Sequence, residues 1–162
     1  DTAKWANGVL LAGDFGRNSE TSILLEQFIQ KYSGQLTLAQ DSIDYFLPTA
    51  EMITSRPKTL IVPTFSQLQK FATAARFKQA FTSSMDFLNF VEALHSFTKD
   101  HEIAIAIQHL ETDFVAVNGR VSSTKPACRN NEITTASRAT VWWLQAPKKP
   151  FEALSTSMIN HA

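Results

Sequence analysis

The chain has 162 residues, of which 44% are hydrophobic, 10% aromatic and 19% charged. This composition excludes a wholly disordered chain and suits one globular domain over residues 1–162. Fifteen Lys and Arg balance fifteen Asp and Glu, so no net field draws the protein to nucleic acid or an anionic membrane. With one cysteine and no apolar run near the ~20 residues of a membrane span, we expect a cytoplasmic protein without nucleic-acid or membrane partners.

Short apolar runs alternate along the chain with longer stretches whose apolar residues lie three and four apart. In chain order we predict a strand at 9–12, a helix capped by Asn18 or Ser19 and ended by Gly34, strands at 36–39 and 59–62, helices at 66–75 and 85–98, a strand at 103–107, a hairpin at 114–122 and helices at 135–145 and 151–161. Strands buried on both faces appear as unbroken apolar runs, whereas the covering helices appear as stripes. The pattern therefore predicts an α/β fold with a mainly parallel sheet and flanking helices.

Two local signals refine this prediction. Ser66 is a candidate N-cap for the third helical stretch, and Asn118-Gly119 supplies the two positive φ angles of a hairpin turn. We expect the hairpin to be antiparallel and the four preceding strands to be parallel. The predicted core comprises Leu10, Leu11, Ile23, Phe28, Leu38, Ile61, Leu68, Leu88, Val91, Ile105, Val115 and Leu144.

Acidic residues and a glycine turn follow the first two predicted strands. Asp14 and Gly16 lie in a turn that can present amides to an anion, or that is an ordinary turn into a helix. Asp41 lies just past a strand end, where open α/β sheets bind ligands, although it can also cap the next segment. Glu132 precedes a helix. It can act as a general base, or it can simply be an acidic residue that the positive start of the helix favours. We expect these four residues to line one cleft and, since no histidine spacing suits a metal, no structural metal site.

Four short sequence segments resemble motifs of a known family. Residues 12–17 stand where the family has GPGLGR, residues 38–43 where it has LDADAL, residues 62–67 where it has TPHPGE, and residues 105–109 where it has VLKG. Together with the order of elements, these strings resemble the C-terminal half of the ribokinase-like domain of ATP- or ADP-dependent (S)-NAD(P)H-hydrate dehydratase. The resemblance implies a ribokinase-like fold and further strands and helices before Asp1, so that the chain is an incomplete domain.

The resemblance also marks where catalysis has been lost. The family's GSGD motif, which holds phosphate and supplies the acid, corresponds here to Arg129-Asn130-Asn131-Glu132, and Gln108 replaces the lysine of VLKG. Asn130, Asn131 and Gln108 are then the nucleotide-binding candidates, Asp14, Gly16 and Asp41 the substrate-binding candidates, and Glu132 the candidate base. The implied ligand is ATP or ADP with Mg²⁺, bound weakly by a degenerate enzyme.

Two other interpretations stay open at this point. In the first, the chain is an active enzyme that uses Glu132 as its base, either a hydrate dehydratase, which is a lyase, or a related kinase. Alternatively, it is an unrelated doubly wound α/β module. Whether copies of the chain associate into a homo-oligomer is also open from the sequence.

Overall fold

Six strands form one sheet whose spatial order follows the chain order. The computed structural model describes residues 5–16, 18–126 and 131–159. The strands are β1 Gly8–Ala12, β2 Gln35–Ala39, β3 Thr59–Val62, β4 Ile103–His109, β5 Thr112–Val117 and β6 Arg120–Thr124. In these ranges, no helix is both long and apolar enough to cross a membrane.

The first four strands run parallel, and β5 and β6 are each antiparallel to the preceding strand. This confirms the mainly parallel sheet and the terminal hairpin. Asn118 and Gly119 both have positive φ, at 49° and 75°, as the predicted turn requires. A second tight turn, which the sequence did not indicate, joins β4 to β5 through Leu110 and Glu111, also with positive φ.

Seven α-helices cover the two faces of the sheet in the described residues. They are α1 Ser19–Lys31, α2 Ser42–Tyr45, α3 Ala50–Thr54, α4 Phe65–Ala74, α5 Phe87–Asp100, α6 Glu132–Gln145 and α7 Pro150–Ile159, with a 3₁₀ turn at Leu47–Thr49. Residues of α1 to α5 belong to one hydrophobic cluster, and residues of α6 and α7 belong to a second. The two clusters lie on opposite faces because successive residues of a strand point to opposite sides.

Phenylalanines dominate the first face. Phe46, Phe71, Phe90 and Phe97 are fully buried there and pack against the inner strands. On the second face, small residues of α6 and Trp143, which is 5% exposed, pack against the sheet. Its neighbour Trp142 is only partly buried, because adjacent helix positions lie about 100° apart.

The helix starts follow side-chain caps. Asn18 caps α1 by accepting a hydrogen bond from Thr21 N, as predicted. The prediction of Ser66 as a cap was wrong. Thr64 begins α4 with a capping box, in which Thr64 Oγ1 accepts a hydrogen bond from Gln67 N and Gln67 Oε1 accepts one from Thr64 N.

Two predicted core residues are exposed, and both errors are errors of helix face. Ile23 is 54% exposed and Leu88 is 70% exposed. Leu88 lies about 160° around α5 from buried Phe90, and Ile23 lies about 120° around α1 from buried Ile29. The remaining predicted core residues are buried or partly buried.

Candidate functional site

Three loops meet at the edge of the sheet where the parallel strands end, which we call the carboxyl edge. They are residues 13–16 and 18 after β1, residues 40–41 after β2 and residues 63–64 after β3. Buried Ser42 joins the first two strands, since its Oγ lies 2.8 Å from Leu11 O and 2.7 Å from Ala39 O. This edge is the usual ligand side of an open α/β sheet.

Asp14 is held by the loop itself and by α2. Its Oδ1 accepts hydrogen bonds from Gly16 N at 2.9 Å and from the Tyr45 hydroxyl at 2.8 Å. Phe15 packs edge-on against the Tyr45 ring, with centroids 5.9 Å apart. Gly16 has a φ of 78°, a conformation that favours glycine. The predicted substrate-binding turn is therefore ordered by its own hydrogen bonds.

Asp41 is an exposed carboxylate at the same edge. It occupies the N-cap position of α2 but makes no side-chain capping hydrogen bond, so the capping explanation for this residue was wrong. Gln67 links the next loop to α2, because its Nε2 donates to Gln40 O and Asp44 Oδ2, each at 2.9 Å. Lys70 Nζ lies 3.9 Å from Asp44 Oδ1.

The direction of α6 places Glu132 at this edge as well. Near its end, α6 contacts the start of β1, since a Cβ on Gly8 would lie 2.9 Å from Leu144. In its middle, Thr140 Oγ1 lies 2.7 Å from Thr37 Oγ1 of β2. Glu132 lies eight residues before Thr140, about 12 Å along the axis, and so lies beyond the end of β2. It reaches the edge from the second face, whereas Asp41 and α2 approach from the first. That Asp14, Gly16, Asp41 and Glu132 line one cleft therefore stays a prediction.

Two of the three candidate nucleotide-binding residues, Asn131 and Gln108, are engaged within the chain. Asn131 Oδ1 accepts from Thr134 N at 2.8 Å and so caps α6. Gln108 Nε2 donates to Asp113 Oδ1 at 3.0 Å. Asn130, Arg129 and Arg17 lie outside the described residues. The Asn131 cap therefore takes one of the amides that a phosphate at the start of α6 would use, and Gln108 is held by Asp113.

His109 is a further residue of the carboxyl edge that the sequence did not single out. Its ring stacks on Phe65 with centroids 4.1 Å apart and contacts Phe90 at 4.8 Å. Its Nε2 is buried and has no hydrogen-bond partner among the described residues. Burial lowers the pKa of this imidazole below its usual 6.5. A histidine that ends an apolar strand was the only sequence signal for it.

A cavity lies at the opposite edge of the sheet. Its volume is about 1000 Å³. Its walls include Asn7, Gly34 and Lys58, which precede β1, β2 and β3. Within the described ranges, no group of three His, Cys, Asp or Glu side chains could hold a metal ion.

Solved structures resemble this fold, whereas the two sequence comparisons give no match. No protein-family model matches the chain, and no curated protein matches it. A solved hypothetical protein from Streptococcus mutans superimposes with a TM-score of 0.67 at 12% identity, over 96% of this chain and 55% of that one. A ribokinase-like superfamily protein from Enterococcus faecalis V583 superimposes with a TM-score of 0.63 at 13% identity, over 95% and 54%.

The fold is ribokinase-like. At these identities the likeness shows the fold alone, and the chain spans about half the length of both neighbours. The predicted ribokinase-like fold is thus confirmed, whereas the relation to hydrate dehydratases stays a prediction.

Proposed function

We propose that the chain is a divergent ribokinase-like domain, related to the NAD(P)H-hydrate dehydratases, whose catalytic groups have degenerated. It binds a nucleotide or another small molecule at most weakly, at the carboxyl edge. The observation that carries the proposal is the Asn131 cap, which accepts a hydrogen bond from Thr134 N at the start of α6. That amide is among the donors that a phosphate at this helix start would use.

The chemistry of phosphate handling explains why this cap matters. Glycines let a backbone approach an anion closely, and this chain has Arg129-Asn130-Asn131 where the resembled family has Gly-Ser-Gly. Each preorganised donor typically contributes about 10²–10³ in rate. This chain also has Gln108 where the resembled family has lysine. Without the glycine turn and the lysine, several such contributions are absent at once.

The ligand that this proposal allows is ATP or ADP, with Mg²⁺ on edge carboxylates such as Asp41. The proposal treats residues 1–162 as the C-terminal portion of such a domain, on the order of the strings quoted above. A cytoplasmic location is part of the same proposal and is supported by the single cysteine.

A second candidate function is an active enzyme, either a hydrate dehydratase or a related kinase. It is favoured by one observation, that the direction of α6 brings Glu132 to the same edge as Asp41. In this alternative Glu132 takes a proton from the substrate while Asp14, Gly16 and Asp41 bind it.

Calorimetric titration with ATP and with ADP, in the presence of Mg²⁺, tests the first proposal. We expect little or no heat from the unaltered chain. Changing residues 129–132 to Gly-Ser-Gly-Asp should strengthen binding, and adding Gln108→Lys should strengthen it further. Lys148→Gln, in the exposed linker after α6, is the control and should leave the titration unchanged.

An activity assay separates the two candidates. The chain is supplied with NAD(P)H hydrate and either nucleotide, and formation of NAD(P)H is followed. We expect no turnover. Sustained turnover that Glu132→Gln abolishes would overturn the degenerate assignment and establish the enzyme.

A further inference from the structure

Two hairpin turns of the sheet share one backbone geometry but have very different sequences. Asn118-Gly119 joins β5 to β6 and Leu110-Glu111 joins β4 to β5, and in each turn both residues have positive φ. Asparagine and glycine adopt this conformation readily, whereas it is sterically disfavoured for leucine and glutamate. The turn at Leu110-Glu111, with φ of 49° and 54°, is therefore held in a strained conformation.

A histidine with an unpaired nitrogen directly precedes the strained turn. The His109 ring stacks on Phe65 of α4 at 4.1 Å and contacts Phe90 of α5 at 4.8 Å. Its Nε2 is buried and has no hydrogen-bond partner among the described residues. A buried polar atom without a partner raises the free energy of the folded state. Two unfavourable features thus occur side by side at the end of β4.

No charged side chain in the described part of the chain pairs with the His109 ring. Burial is the only cause of its lowered pKa. In the elements packed around the ring, Lys70 lies near a carboxylate of α2, Asp86 caps α5, and Asp113 accepts a hydrogen bond from Gln108. The other charged or titratable residues of these elements and of the turn are Glu92, His95, Lys99, Asp100 and Glu111.

Protonation is therefore incompatible with the stacked position of the ring. A charged imidazole carries an N–H at both nitrogens. In the stack, the new charge and the Nε2 N–H would be buried without an acceptor among the described residues. The ring has to leave the stack to become charged.

The stack lies next to the loops of the carboxyl edge. Phe65 is the first residue of α4 and follows the cap residue Thr64. Two positions later, Gln67 donates to Gln40 O in the loop after β2 and to Asp44 of α2. The His109 ring therefore supports the start of the helix that ties the loops after β2 and β3 together.

We propose that His109 and the turn at Leu110-Glu111 form a pH-sensitive latch on the carboxyl edge, closed while the neutral imidazole stacks on Phe65 and open once the imidazole takes up a proton and leaves the stack. Opening hydrates the unpaired nitrogen and releases the strained turn. Because burial opposes protonation in the closed state, the latch opens below pH about 6.5. Control of ligand access at this edge rests on the proposed function, whereas the latch itself does not and is tested without a ligand.

The first test is an NMR titration of the full chain from about pH 7.5 to about pH 4.5, without a ligand. At the upper end we expect His109 ring protons shifted by the Phe65 ring current and nuclear Overhauser effects between the two rings. As the pH falls, the shifts should move to those of an exposed histidine and the Overhauser effects should disappear. Amides of β2 should not follow this midpoint, because the sheet stays folded. A ring that keeps its contacts with Phe65 throughout, or β2 amides with the same midpoint, would overturn the latch.

The second test exchanges the strained turn for the sequence of the other hairpin. Leu110→Asn combined with Glu111→Gly relieves the strain and so stabilises the closed state. We expect the His109 midpoint to fall by about one pH unit, which corresponds to about a tenfold shift toward the closed state. His95→Asn is the matched control, since His95 Nδ1 contacts Gly119 O of the unstrained hairpin, and it should leave the His109 midpoint unchanged. A turn variant with the midpoint of the parent would show that the turn has no part in the latch.

Discussion

Strands β1 and β2 lie side by side with matching register, yet they experience different surroundings. Leu11 of β1 is the register partner of Leu38 of β2. Leu38 is fully buried, and Leu11 is only partly buried. β1 is the more apolar strand, Gly-Val-Leu-Leu-Ala against Gln-Leu-Thr-Leu-Ala, so the difference in burial comes from their neighbours. An apolar run indicates the burial that a strand is suited to, and the contacts of the fold decide how much burial it has.

The largest expected effect comes from truncating these two leucines. Leu38→Ala should lower the free energy of unfolding by about 3 kcal/mol, because it leaves a cavity in a closely packed core. Leu11→Ala should cost about 1 kcal/mol, because solvent already reaches that side chain. Urea unfolding followed by circular dichroism measures both. Equal losses would show that Leu11 is as closely packed as Leu38.

Ser42 offers a way to break the link between the two strands. Its buried hydroxyl contacts Leu11 O and Ala39 O and accepts from Ala39 N at 3.1 Å. Ser42→Ala should cost about 2 kcal/mol, since it leaves buried backbone groups unpaired. Hydrogen exchange should show faster opening at Ala39. Ser137→Ala, on the exposed face of α6, is the control and should change stability by less than about 0.5 kcal/mol.

The same comparison shows what the sequence could predict. The four parallel strands were predictable because each is a short, largely apolar segment bounded by turn residues. Helices α2 and α3 were not, because four or five residues do not complete a periodic pattern. The bond from Tyr45 to Asp14 depends on α2 and was missed with it. Ile23 was placed in the core because a periodic pattern cannot reveal which flank of α1 the described part of the chain leaves exposed.

Two glycines sharpen the comparison at the start of each strand. Gly34 precedes β2, and a Cβ there would lie 2.2 Å from the hydroxyl oxygen of Tyr32. That ring is buried, and its hydroxyl donates to Ala6 O at 3.0 Å. Gly34→Ala should therefore cost about 1.5 kcal/mol. Gly8 opens β1, where a Cβ would meet only the end of the partly exposed Leu144 side chain.

Gly8→Ala should change stability by less than about 0.5 kcal/mol, because Leu144 can move and the alanine restricts the unfolded chain. Thermal unfolding of both variants measures the contrast. A larger loss for Gly8→Ala than for Gly34→Ala would mean that Leu144 is held in place, and would argue that β1 is as closely packed as β2.

The smallest effect is a pH dependence that has to be separated from the strand comparison. Burial holds the pKa of His109 below its usual 6.5, so the folded protein favours the neutral ring. As the pH falls, the His109 imidazole of the unfolded chain is protonated before that of the folded protein. The stabilisation from this group is therefore complete above pH about 6.5 and is lost as the pH falls through the folded pKa. His101, whose pKa is also lowered chiefly by burial, adds to the same trend.

His109→Phe should keep the stacking on Phe65 while removing one titrating group. We expect urea unfolding near neutral pH and at about pH 5 to show a smaller loss on acidification for this variant than for the parent. The part due to His101 should remain, and His101→Asn should remove it. An unchanged loss in His109→Phe would mean that protons enter the folded protein elsewhere. The leucine comparison between β1 and β2 is best made above pH about 6.5, where these two histidines are neutral in both the folded and the unfolded chain.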